Sequence, residues 1–344
     1  MTGLQITWFI LVGVLLAGYT VLSGFDLGAG HLLYRFRNPE EREEILYNLK
    51  PIWGVNQVWL LTGGGALFAA FPRVYANVFS GFYLALMLLL LALILRSVAI
   101  EIDHEVDSPG WTRSWEKVFL IGSSLVCLLL GVAMGNLLVG LLLDENGYYT
   151  GTFLELLNVF ALLTGIFAVC LFGLQGAGFI IATSRGTVQE KAYISAQRYW
   201  MASFIIFVVL SLYCLLFEPQ VFVNYQAYPV IYLIPVLLVS CLIYYPAALK
   251  KSIPYLPVLV SSLLLISLWG VLGASMFPAL VPNPANPVTS LTLFNSSSSE
   301  LTLKVMLILA LCGLPLVLSY IAMIYRQFFA RNEPQSTVNQ NSTG

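Results

Sequence analysis

Six polar residues, Asp26, Asn56, Gln57, Arg96, Glu101 and Gln175, stand inside stretches that are otherwise apolar. A polar group in such a setting loses free energy unless it is paired, so these positions mark where chemistry or helix association is at stake. Asp26 sits in Gly24-Phe25-Asp26-Leu27-Gly28. A carboxyl group there can take up a proton and release it, which is what loading a proton path requires. The structural alternative is a carboxylate capped by backbone amides, or paired with Arg35 or with a cation of a partner chain. Asn56 and Gln57 can donate and accept hydrogen bonds without charge, and so either hold waters in a chain or join helices. Arg96 and Glu101 carry opposite charges near one end of an apolar segment, and a structural ion pair is their expected use.

The same region, Trp53-Gly-Val-Asn56-Gln57-Val-Trp59-Leu-Leu-Thr-Gly63-Gly64-Gly65, adds two tryptophans and three consecutive glycines. Trp53 and Trp59 suit a membrane interface belt or contact with a quinone ring. Gly63, Gly64 and Gly65 remove side chains over one helical turn, which lets another helix or a flat cofactor approach the backbone. His31 and His104 are the only imidazoles, both near the same membrane face on different segments, and neither is expected to ligate haem. The five cysteines lie in apolar segments without the short paired spacing of metal motifs, so they read as core residues and no metal site is expected.

The elements that must position these residues are membrane helices. Of 344 residues, 59% are apolar and 10% charged, and mean hydropathy is +0.85. That is too little polar surface for a soluble chain of this length. A net charge of −1 without a basic block gives no footprint for nucleic acid. Roughly 20 apolar residues cross a bilayer as a helix. Nine such spans are predicted, near 6–34, 52–72, 78–102, 117–143, 153–184, 198–218, 228–249, 254–278 and 301–328, the second being the least apolar. Leu4 to Ser23 has no preceding Lys or Arg and continues into a glycine-rich helix, so it reads as the first span and not as a cleaved signal.

Fourteen of the 16 basic residues, Arg96 among them, fall on one set of alternate connections, and only Arg73 and Lys304 on the other. By the positive-inside rule, nine spans then place the amino terminus outside and the carboxyl terminus in the cytoplasm. Gly28-Ala29-Gly30 to Arg35 and Gly176-Ala177-Gly178 to Arg185 occupy similar places in the first and fifth spans. This suggests two four-helix bundles, 6–143 and 153–278, plus a peripheral helix at 301–328, within one membrane domain over 1–331. The outer segment from Ala279 to Glu300 cannot be helical through its prolines and is expected to fold over the membrane surface or a partner, while 332–344 reads as a disordered cytoplasmic tail.

Taken together, the Gly24 to Gly28 and Trp53 to Pro72 stretches, Leu95 to Glu101, the fifth apolar segment and the Ser290 to Leu303 region resemble, in the same order, subunit II of the cytochrome bd quinol oxidases. The resemblance covers most of the chain. It implies an all-α polytopic protein of a bacterial cytoplasmic membrane that binds no cofactor itself and packs beside subunit I. That partner would carry the b- and d-type haems, oxidise quinol and reduce oxygen. A small single-helix third subunit, membrane lipid and quinone are further partners of such a complex. The resemblance also places a carboxylate at Asp26 on a cytoplasmic proton route, so that protons consumed inside and released outside build a membrane potential without pumping.

Two positions depart from the family's pattern. Trp53-Gly54-Val55-Asn56 stands where Trp-Asp-Gly-Asn is expected, and Gln175-Gly176-Ala177 where His-Gly-Ala is expected. Each loses a titratable group, so waters, Asn56 or the partner must bridge the step after Asp26. Two other readings of the residues are a secondary transporter with discontinuous helices and a purely structural oxidase subunit in which Asp26 handles no protons.

Overall fold

The computed structural model describes residues 1–102, 105–106, 108–145 and 147–331, with side chains described to Gln327. His104 and the expected tail at 332–344 lie outside the described residues. The helices are α1 (Thr2–Leu32), α2 (Pro39–Leu49), α3 (Trp53–Ala70), α4 (Pro72–Gly81), α5 (Tyr83–Ile102), α6 (Pro109–Val139), α7 (Val159–Thr183), α8 (Gly186–Phe217), α9 (Val223–Ala227), α10 (Leu233–Lys250), α11 (Leu256–Met276) and α12 (Glu300–Arg331). Among the described residues, eight helices are long and apolar enough to cross a membrane: α1, α5, α6, α7, α8, α10, α11 and α12. The chain is an all-α polytopic membrane protein.

The ninth expected span, 52–72, is α3. Its 18 residues reach about 27 Å at ~1.5 Å per residue, but Asn56, Gln57, Thr62 and the glycines dilute its apolar content. It lies along α1, with the Trp59 ring over Gly18 and Gly63 against Leu15 and Leu16. The span expected at 78–102 is two helices, α4 and α5, that meet at Phe82. The fourth span begins earlier than its apolar run, at Pro109, and stops at Gly140, whose φ of +104° favours glycine and whose missing Cβ leaves room for the Pro282 carbonyl. The sixth starts twelve residues before the expected 198, because its first turns carry Gln189, Glu190 and Lys191 and so lack the apolar signal.

The centre of the fold is the crossing of α1 and α7. Added Cβ atoms show how close it is: one at Gly28 would come within 2.7 Å of the Gly176 amide nitrogen, and one at Gly24 within 2.7 Å of Gln175 Cγ. The two Gly-Ala-Gly segments therefore pack directly on each other. Around this crossing, α3 and α6 pack on α1, α8 and α11 pack on α7, α5 packs on α6, and α10 on α11.

At the end that carries most basic residues, α2 lies across the bundle. Its Ile45, Leu46 and Leu49 are buried, and ion pairs from Glu41 to Lys191 (2.6 Å) and from Arg42 to Glu116 (2.8 Å) tie it to α8 and α6. This short amphipathic helix was not anticipated, because it is too short and too polar to stand out among membrane-length runs.

At the opposite end, the segment after α11 folds back onto the chain itself. Strands β1 (Ala279–Val281) and β2 (Leu291–Thr292) pair antiparallel. Asn283 donates to the Leu143 carbonyl at 2.9 Å, and Ser298 reaches the last turn of α3, its amide donating to Ala70 O at 2.9 Å and its hydroxyl to Ala69 O at 2.6 Å. The serine run thus satisfies carbonyls that the end of α3 leaves without intrahelical donors.

Candidate functional site

Five helices converge on one buried polar cluster. Asp26 of α1 is fully buried, and its carboxylate receives Arg96 Nη2 of α5 in a short ion pair. Its second oxygen, Oδ1, accepts from Asn56 Nδ2 of α3 at 3.1 Å, and the same amide group donates to the Leu22 carbonyl at 2.9 Å. Tyr325 of α12 closes the cluster by donating to Asn56 Oδ1 at 2.9 Å. Arg96 Nε donates to Ser123 Oγ of α6 at 3.3 Å, and the guanidinium lies 5.3 Å from the centre of the Phe119 ring. Placed in this way the two formal charges cancel, and most of the polar atoms have partners, which is what burial at this depth demands. Arg96 Nη1, Tyr19 Oη and Ser23 Oγ are buried without a hydrogen-bond partner among the described residues.

Small residues make the convergence possible. At Gly122 an added Cβ would come within 3.1 Å of both the Ala92 carbonyl and Arg96 Cβ, so glycine here lets α6 lie against α5 where the arginine turns inward.

The expected pairing of Arg96 with Glu101 is not formed. Five residues apart on a helix are about 140° apart in direction at ~100° per residue, so the two side chains leave opposite flanks of α5. Arg96 points to Asp26, and Glu101 accepts from the Trp53 indole at 3.1 Å. Nor does Asp26 pair with Arg35. Arg96, fully buried, is also no loop residue and drops out of the set of charges used to orient the chain.

Of the other expected site residues, Gln57 and Trp59 do not join the cluster: Gln57 Nε2 and Trp59 Nε1 are buried without partners among the described residues. Gly63 is the close-approach position of its triplet, whereas nothing within 4 Å would meet a Cβ at Gly64 or Gly65. Gln175 forms a separate fully buried knot, donating to Val21 O at 3.1 Å and Ser262 Oγ at 2.8 Å and accepting from Ser261 Oγ at 2.5 Å. Tyr325, Ser123 and Phe119 are part of the cluster without having been singled out. The signal available was weak: a tyrosine near the end of the last span, and a Ser123-Ser124 pair within an apolar run.

His31, the one histidine among the described residues, is held at both ring nitrogens: Nδ1 lies 2.7 Å from Ser124 Oγ and Nε2 2.7 Å from Tyr199 Oη. It offers no free nitrogen to an iron, so its surroundings do not fit an axial haem ligand.

A polytopic bundle with a buried, hydrogen-bonded carboxylate–arginine pair is the architecture of a membrane energy-conversion or transport protein. Comparison with known proteins decides between these. The sequence profile of cytochrome bd terminal oxidase subunit II matches residues 4–328, and the chain belongs to that family. It is 34% identical to cytochrome bd-I ubiquinol oxidase subunit 2 of Escherichia coli strain K12, over 95% of each chain. It is 32% identical to cytochrome bd ubiquinol oxidase subunit 2 of Bacillus subtilis strain 168, over 98% of this chain and 100% of the other. A chain of the bd oxidase structure from Geobacillus thermodenitrificans has the same fold, with a TM-score of 0.79 at 14% identity, covering 96% of this chain and 99% of that one. The transporter reading gives way to membership of a quinol oxidase complex with subunit I.

Proposed function

We propose that this chain is the haem-free second subunit of a quinol:oxygen oxidoreductase, that it stabilises the haem-bearing subunit I, and that its buried Asp26 cluster contributes to delivering cytoplasmic protons for the reduction of oxygen to water. The observation that carries the proposal is the cluster itself. Asp26, Asn56 and Arg96 come from three helices far apart in sequence, meet at full burial, and contain a single carboxyl group able to take a proton and return it. Quinol oxidation and oxygen reduction belong to the partner, whose haems of the b and d types supply the redox chemistry. This chain's part is to bind alongside, exclude water and hold the proton-carrying groups.

The amino terminus lies outside and the carboxyl terminus in the cytoplasm, as the basic connections Arg35, Arg37, Arg42, Lys50, Arg185, Lys250 and Lys251 favour. The two halves about α1 and α7 descend from one four-helix unit, a reading supported by the mutual packing of their Gly-Ala-Gly segments. A cavity of about 580 Å³ opens between α6, α7, α8, α10 and α11, lined by Phe167, Leu171, Phe207, Leu268 and Trp269 among others, and its apolar walls suit a membrane lipid or the chain of a quinone. A small single-helix third subunit completes the complex.

Replacement of Asp26 by Asn in the intact complex tests the proton role, with quinol-driven oxygen consumption and haem content measured on the same sample. Lower turnover at full haem content supports it. Normal turnover at full haem content sinks it, and loss of haem assigns Asp26 to assembly instead.

A further inference from the structure

Among the described residues, the hydrogen bonds at the Asp26 carboxyl group all run toward it. Arg96 Nη2 donates to Oδ2 and Asn56 Nδ2 to Oδ1. Arg96 has no acceptor to offer in return. Neither has Asn56 as it lies, because its nitrogen also donates to the Leu22 carbonyl at 2.9 Å and its oxygen accepts from Tyr325 at 2.9 Å. Turned over, the amide would bring Oδ1 against the Leu22 carbonyl oxygen, and two acceptors repel. The surroundings are therefore complete for a carboxylate and incomplete for a carboxylic acid, whose hydrogen needs an acceptor when it is buried.

Two hydroxyls next to the carboxyl group are able to accept. Ser23 Oγ and Tyr19 Oη are buried without a hydrogen-bond partner among the described residues. Ser23 stands three residues before Asp26, which puts the two side chains on one face of α1 a single turn apart. Tyr19 lies one turn further along the same face, beside Ser23 and near both Asp26 and Arg96. Ser97, Ser124 and Ser262 show the usual way a serine is satisfied within a membrane helix, each donating to the carbonyl four residues back. Ser23 makes no such bond, so its lone pairs and its hydrogen are all open.

We propose that Ser23 is a positioning residue for the proton carried by Asp26: when the carboxyl group is neutral, its O–H donates to Ser23 Oγ. This rests on the reading of Asp26 as a proton carrier. The only covalent change is the O–H bond that forms as the carboxylate takes up a proton and breaks as it gives the proton back. Arg96 and Asn56 keep donating to the carboxyl oxygens in both states, and Ser23 supplies the one acceptor that the neutral state lacks. The other titratable groups around the carboxyl are Arg96 of α5, Tyr19 of α1, Cys127 of α6 and Tyr325 of α12. Of these, the Tyr19 hydroxyl is the competing acceptor. A serine that served only as a small residue beside Gly24, where α1 meets Gln175 of α7, would tolerate alanine without consequence.

Infrared difference spectra of the purified complex between high and low pH test the assignment. They locate the C=O stretch of a protonated carboxyl group that is absent in Asp26→Asn, or displaced in Asp26→Glu should the former not assemble. In Ser23→Ala this band is expected at higher wavenumber, because the carboxyl hydrogen has lost its acceptor. Quinol-driven oxygen uptake is expected to fall about tenfold, equivalent to ~1.4 kcal/mol on the barrier, at unchanged haem content. Ser23→Thr, which keeps the hydroxyl, restores both. An unmoved band or wild-type turnover in Ser23→Ala overturns the role, as does a band that moves only in Tyr19→Phe. Should Ser23→Ala lose haem, Ser23→Cys, close to serine in size but a weak acceptor, decides: a band at higher wavenumber supports the role and a band in its wild-type place overturns it. A wild-type complex without any Asp26-dependent band refutes the proton-carrier reading itself, and the role of Ser23 with it.

Discussion

The ion pair between Asp26 and Arg96 makes the sharpest energetic prediction. Removing the carboxylate charge with Asp26→Asn leaves Arg96 positively charged and fully buried with only neutral partners, the replacing amide oxygen, the Ser123 hydroxyl at 3.3 Å and the Phe119 ring, while Nη1 already has none among the described residues. Breaking one side of a buried pair typically costs about 3–5 kcal/mol, because the surviving charge is uncompensated. Replacing both partners, as in Asp26→Asn with Arg96→Met, leaves no stranded charge and recovers most of that loss. The assay is a double-mutant cycle on the detergent-solubilised complex, reading reversible loss of structure by denaturant from tryptophan fluorescence and checking the midpoint against haem absorbance. The reasoning predicts single variants destabilised by about 3–5 kcal/mol and a coupling energy of at least ~2 kcal/mol. Single variants within ~0.5 kcal/mol of the parent, or losses that simply add, refute it.

Other consequences follow from the packing. Gly176→Ala forces a methyl group into the backbone of α1 at Gly28 and Ala29, and should cut the yield of assembled complex sharply, whereas Gly64→Ala meets nothing within 4 Å and should leave this chain's stability within ~0.5 kcal/mol; membrane-fraction yields of the two variants provide the comparison. Tyr325→Phe removes the donor at 2.9 Å to Asn56 and should lower stability by about 1 kcal/mol in the same denaturant assay. Lys191→Met removes the partner of Glu41, but the Lys191 side chain is 39% exposed, so the loss should stay below ~1 kcal/mol and shrink further at high salt.

Most of the membrane architecture was legible because apolar length is a physical requirement of the bilayer and survives in the sequence whatever the tertiary packing. Where the expectation slipped, another requirement had taken over. The break at Phe82 follows Ser80-Gly81, two residues that a long apolar helix can carry without stopping, so the apolar run after them was read as one span with Val78 and Phe79. The first turns of α8 and of α2 are polar and held by Glu41–Lys191 and Arg42–Glu116, interactions between residues 150 and 74 positions apart. The candidate site was half legible. Its residue types stood out against apolar surroundings, but their pairing depends on which way each helix is turned, and for Arg96 the nearer carboxylate in sequence, Glu101, proved to be on the wrong flank. Tyr325 could not be tied to Asn56 from sequence, since only the docking of α12 brings them together.

The account stands or falls on whether this chain works as the colourless partner of a haem-bearing subunit. Tagging it in its native host, purifying it in mild detergent and recording the dithionite-reduced minus oxidised spectrum with the subunit composition of the same sample tests that directly. The account predicts a co-purifying second chain with b- and d-type haem bands that are assigned to that chain when the two are separated. A colourless single species that remains stable without a partner would contradict it.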